Sequence, residues 1–94
     1  MKDKIKLPHL AHLFCSQREI DPVFLFSKSQ KQNTVFIKKA FCALAYSQGF
    51  TQQDIADFLG YADHTTVRHH IKDHILLSES NKAYISILRA SRAF

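Results

Sequence analysis

Glycine and proline are scarce in this chain, two of each in 94 residues, which argues against a sheet built on frequent tight turns. The two cysteines, Cys15 and Cys42, stand alone with no Cys-x-x-Cys pair, so neither a zinc site nor a disulfide framework is indicated and two reduced core thiols are expected. There is no run of eighteen apolar residues, and the charged start Met1-Lys2-Asp3-Lys4-Ile5-Lys6 leads into no apolar signal core. Membrane spans and targeting segments are therefore not expected, and the location predicted is cytoplasmic. A Gly-x-x-x-x-Gly-Lys-Ser/Thr loop is also missing, so nucleotide binding has no sequence basis. No nucleophile and base pair or paired carboxylate site stands out, and the chain is not expected to be an enzyme or to carry a cofactor.

Six histidines raise the question of a metal, because His70 and His74 lie one helical turn apart and His9 and His12 three residues apart. No glutamate sits between them in a His-Glu-x-x-His arrangement, no cysteine pair completes a tetrahedral site, and Asp73 points elsewhere on its helix. No metal is expected. What the chain does have is a 46% hydrophobic fraction with eight Phe, enough for one small core over residues 1–94, and a formal charge of +5 that favours polyanionic partners.

Long stretches show helical spacing, so the fold class expected is all-α, a single small domain of five to six helices. Leu7, Leu10, Ala11 and Phe14 predict a first helix ending near Gln17. Asp21-Pro22 is a start signal, opening a short helix through Val23, Phe24, Leu25 and Phe26 that reads as nearly all core. The polar, basic stretch 27–33 is the chief exposed loop. Asn33 is the expected cap of a central helix from near Thr34, in which Ile37, Ala40, Phe41, Leu44 and Ala45 face the core and Lys38 and Lys39 do not. A last helix from about Ser80 is expected to bury Tyr84, Ile87 and Leu88 and leave Lys82, Arg89 and Arg92 in solvent.

Residues 51–77 carry the functional signal. Thr51 and Asp54 form a capping pair, Ile55, Phe58 and Leu59 fall on one face, and Gly60 stands where the chain must leave the helix. A second helix over about 64–77, capped by Asp63, carries Val67, Ile71 and Ile75 as a one-sided apolar stripe. Two short helices joined by a tight turn in a basic chain suggest a helix-turn-helix. A helix fits the major groove of B-form DNA with its N-terminal side chains at the base edges. That arrangement assigns base reading to Asp63, His64, Thr65, Thr66, Arg68 and His69, and backbone or minor-groove contacts to Lys28, Lys31, Lys38, Lys39 and Lys72.

Val67 lies seven residues after Gly60, one more than in the commonest helix-turn-helix form. With the run Asp63-His64-Thr65-Thr66-Val67, this spacing resembles the C-terminal DNA-binding domain of the bacterial replication initiator DnaA, a Trp-repressor-like helix-turn-helix with the signature Gly-Gly-Arg-Asp-His-Ser/Thr-Thr-Val. The resemblance runs without gaps from about Phe41 to Lys72 and more loosely back to Leu7. It implies that Asp63, His64 and Thr65 contact bases, that Thr66 supports base or phosphate contacts, and that the basic loop reaches the minor groove through an arginine. The loop here offers Lys28 and Lys31 but no Arg, and the family's second turn glycine and following arginine are Tyr61 and Ala62. The expected partner is double-stranded DNA, in replication or transcription regulation; the alternative is a helical protein-interaction module that keeps the scaffold without specific DNA binding. With no room for an ATPase domain and with an initial Met, a free-standing DNA-binding module is the expectation.

Overall fold

A computed structural model describes residues 6–28 and 31–88, apart from the side chain of Ile87. Six helices run in the order α1 (Leu7–Gln17), α2 (Val23–Phe26), α3 (Gln32–Ser47), α4 (Gln52–Leu59), α5 (Thr65–Ser80) and α6 (Lys82–Leu88), and no strand occurs among the described residues. The fold is all-α, with α3 at its centre: α1, α2, α4, α5 and α6 all pack against it.

Local chemistry accounts for several of the helix ends. Asp21 Oδ1 accepts from the Val23 amide at 3.0 Å and starts α2. Thr51 and Asp54 exchange bonds at 3.0 and 3.3 Å, the reciprocal capping box that opens α4. Gly60 then takes φ 82°, a left-handed conformation that turns the chain out of the helix and lets the Tyr61 amide reach Ala56 O at 2.9 Å. Asn81 Oδ1 accepts from the Tyr84 amide at 3.0 Å and starts α6.

The core is built on edge-to-face aromatic contacts. Phe14 meets Phe41 at 5.5 Å between ring centres, and Phe36 meets Tyr84 at 5.2 Å. Ile55, Ala56 and Leu59 of α4 and Val67 of α5 are buried in the same cluster, so the helix-turn-helix shares the one core of the domain. Cys15 and Cys42 are buried free thiols, and burial pushes Cys42 up to about 12.

Several expectations need correction. α2 is not nearly all core: a single helical turn directs only one residue inward, and Leu25 is buried while Val23, Phe24 and Phe26 are exposed. α3 begins at Gln32 with Lys31 as its flanking residue, so Asn33 lies inside the first turn and does not cap it. Lys38 and Lys39 are not clear of the core, because a helix with neighbours on most sides has no broad solvent face at its middle; Lys38 is 8% exposed and the Lys39 side chain 13%. α5 starts at Thr65 and runs to Ser80, and its third stripe residue, Ile75, is 54% exposed. Four-residue steps drift about 40° each around a helix of 3.6 residues per turn, so Ile75 has rotated off the face of Val67. His74 and Leu77 turn inward in its place. Of the last helix, Tyr84 is buried, Leu88 partly buried and Lys82 exposed, while the Ile87 side chain, Arg89 and Arg92 lie outside the described residues.

Candidate nucleic-acid interface

The N-terminal end of α5 presents an exposed edge. Asp63, His64, Thr65, Thr66, Arg68, His69 and Lys72 are all exposed, and Val67 between them is completely buried. Thr65, Arg68, His69 and Lys72 recur at three- and four-residue spacing and share one outward stripe. Ile55, Ala56 and Leu59 of α4 are buried beneath the motif together with Val67.

Asp63 does cap this helix, although His64 is the flanking residue of α5. Its Oδ1 accepts from the Thr65 amide at 2.8 Å. The bonds from the Thr65 amide and side chain hold the Asp63 carboxyl below the usual carboxylate range.

The basic residues separate into two groups. Lys28, Lys31, Arg68 and Lys72 are exposed, the first two flanking the loop and the last two on α5. Lys38 and Lys39 turn inward. Lys38 Nζ donates to the Ser27 carbonyl, which ties the loop to α3, and burial lowers its pKa. Lys39 Nζ pairs with Asp73 Oδ2 at 2.7 Å and thereby links α3 to α5.

Two further contacts had no sequence signal. Tyr61, on the turn, places its hydroxyl 3.2 Å from His70 Nε2, and Tyr84 places its own 2.7 Å from His74 Nδ1. Their partners lie nine and ten residues away on other elements, beyond any helical repeat. The two histidines once weighed as a metal pair are thus each engaged with a tyrosine, and Asp73 with a lysine. Among the described residues no three of His, Cys, Asp and Glu converge on a common point, and no helix is long and apolar enough to cross a membrane.

Beside the exposed edge, Tyr46, Gly49, Phe50, Thr51, Gln52, Gln53 and His64 line a wide-open hollow of about 700 Å³. Comparison of the chain with protein-family models, with curated proteins and with solved structures finds no match.

Proposed function

We propose that the protein binds double-stranded DNA sequence-specifically, with the N-terminal half of α5 in the major groove and the loop between α2 and α3 toward the backbone or the minor groove. The observation that carries this reading is the division along α5: a continuous exposed edge of hydrogen-bonding side chains from Asp63 to His69, interrupted only by the buried anchor Val67. Such a division lets one helix be held rigidly while its outer stripe meets base edges. Thr65 and Thr66 bring hydroxyls and methyls suited to thymine and adenine edges, and His64, Arg68 and His69 bring donors for purine edges. Lys72, Lys28 and Lys31 supply charge for phosphates. The resemblance to the initiator DNA-binding domain supports the roles given to Asp63, His64, Thr65 and Thr66, and a part in replication or transcription regulation in a bacterial cell belongs to the same proposal.

Selection from a pool of random duplexes tests this directly. A preferred sequence is expected to emerge, and His64→Ala or Thr65→Ala should each lose about 1 to 3 kcal/mol of discrimination at one position of it. A purified protein that shifts no duplex at low salt would sink the reading.

One observation favours a second reading, a helical protein-interaction module. Ile75 and Leu76, on the C-terminal half of α5, are 54% and 65% exposed. On that reading Leu76→Glu abolishes partner capture and DNA is irrelevant; on the first it leaves duplex selection unchanged.

A further inference from the structure

We propose that Tyr61, His70, Lys39 and Asp73 form a latch that holds α5 against the turn and α3, and that Lys39 serves DNA recognition as a positioning residue with no phosphate contact of its own. The inference rests on the DNA-binding reading. Lys39 Nζ lies 2.7 Å from Asp73 Oδ2 and 3.5 Å from His70 Nδ1, and Tyr61 Oη lies 3.2 Å from His70 Nε2. His70 therefore bridges the turn and α3 through its two ring nitrogens.

The chemistry of these groups sets the direction of each bond. An ammonium has three donors and no acceptor, so the His70 nitrogen facing Lys39 must present a lone pair. Nδ1 is then unprotonated, Nε2 carries the proton, and Nε2–H donates to the Tyr61 oxygen. Burial and the adjacent Lys39 charge both disfavour the imidazolium and bring His70 down to about 4, with Asp73 opposing and Lys38 and His69 adding to the same effect. The latch is thus assembled with a neutral histidine at neutral pH.

Its place on α5 explains what it does. His70 and Asp73 follow the reading residues Arg68 and His69 and flank Lys72 on the same helix. A base-reading side chain works only when its helix is fixed in pitch, because an error of about 1 Å breaks a bidentate contact. Tyr61 stands where the resembled pattern has a second turn glycine, and its side chain holds the turn to the helix.

Two measurements decide the matter. In the first, the ring nitrogens and protons of His70 are followed by nuclear magnetic resonance across pH 4 to 8 in the free protein. The expected result is an Nε2–H tautomer that does not titrate above about pH 5, and an upward shift of its titration in Lys39→Met. A His70 that carries its proton on Nδ1, or titrates near its ordinary value, overturns the latch regardless of any DNA result. In the second, binding of the wild type and Lys39→Met to the selected duplex and a scrambled one is measured over a range of salt. Discrimination should fall about tenfold, the low end of what one base contact supplies, with the salt slope unchanged. A slope lowered by about 0.9 with discrimination intact makes Lys39 a phosphate contact and refutes the proposal. Tyr61→Phe deletes a single oxygen and should show the same fall in discrimination if Lys39→Met fails to fold; discrimination equal to wild type then refutes the latch's role in recognition. If the wild type binds no duplex, the DNA reading fails and takes the positioning role with it, while the tautomer and its Lys39 dependence still decide whether the latch exists.

Discussion

On the proposed function, the salt dependence of DNA binding follows from which lysines face outward. Each phosphate neutralised by a side chain contributes about 0.9 to the slope of log affinity against log salt. With Lys72, Lys28 and Lys31 as the exposed lysines of the candidate interface and Arg68 given to the bases, the slope expected is about 2.7, a loss of about 40-fold between 50 and 200 mM salt. If Lys38 and Lys39 also met phosphates, the slope would be about 4.5 and the loss about 500-fold. The two cases are separable by fluorescence anisotropy with a labelled duplex. Because Lys2, Lys4, Arg89 and Arg92 lie outside the described residues, single substitutions carry more weight than the absolute slope. Lys72→Gln should lower the slope by about 0.9. Lys38→Gln should leave it unchanged, even if affinity drops at every salt because the loop is no longer tied through Ser27. A Lys38→Gln slope that falls as far as that of Lys72→Gln would refute the division into surface and internal lysines.

Other consequences are as concrete. Tyr84→Phe removes the 2.7 Å partner of His74 Nδ1 between α5 and α6, and the polar nitrogen left behind should cost about 1 to 3 kcal/mol in a urea titration. Gly60→Ala meets no atom within 4 Å of the added carbon but stays at φ 82°, so a backbone cost of about 1 to 2 kcal/mol is expected, smaller for Gly60→Asn. Stability should decline as pH falls from 6.5 to about 4: the unfolded chain protonates His70 across this interval while the folded chain holds it neutral. The contribution is complete above 6.5, and its slope stays below about 1.4 kcal/mol per pH unit because the ring keeps some contact with solvent. Further acidification removes what the depressed carboxylates Asp63 and Asp73 contribute. Ala62→Arg, at an exposed turn position next to the reading edge, should raise the salt slope by about 0.9 if the duplex passes there.

Features set by neighbours within four residues were legible in the chain. The capping box of Thr51 and Asp54, the Asp21 start of α2, the left-handed Gly60 and the cap at Asp63 each depend on a side chain meeting a nearby amide or on the freedom of one glycine. The exposed edge from Asp63 to His69 belongs to this group, since the first turn of a helix projecting beyond its anchor faces solvent. What spacing does not encode is the surroundings of the opposite face. Lys38 and Lys39 read as outward on an isolated helix, yet α3 is enclosed by other helices, and their charges are met by Ser27 and Asp73, 11 and 34 residues away. Ile75 read as core from its four-residue steps, and only the placement of α6 determines that His74 is the inward residue there.

The turn shows how a departure from the resembled pattern is absorbed. Of the paired glycines in that pattern the chain keeps Gly60, and Gly60 is where the turn needs a positive φ; the only other residue type with positive φ among the described residues is Glu19, far from the motif. A tyrosine at position 61 therefore costs no backbone strain. Its ring packs near His70 at 5.7 Å between centres and its hydroxyl engages the same ring, so the position carries a contact a glycine could not make. The neighbouring change acts in the opposite sense, since Ala62 removes a cation where the pattern has an arginine. Compared with that pattern the motif has less charge at the turn and a side-chain tie between turn and helix, and on the proposed function phosphate contact in this region is left to Lys72. On the proposed function, a protein built this way gains less affinity from the backbone, and a larger share of its binding comes from the bases read between Asp63 and His69.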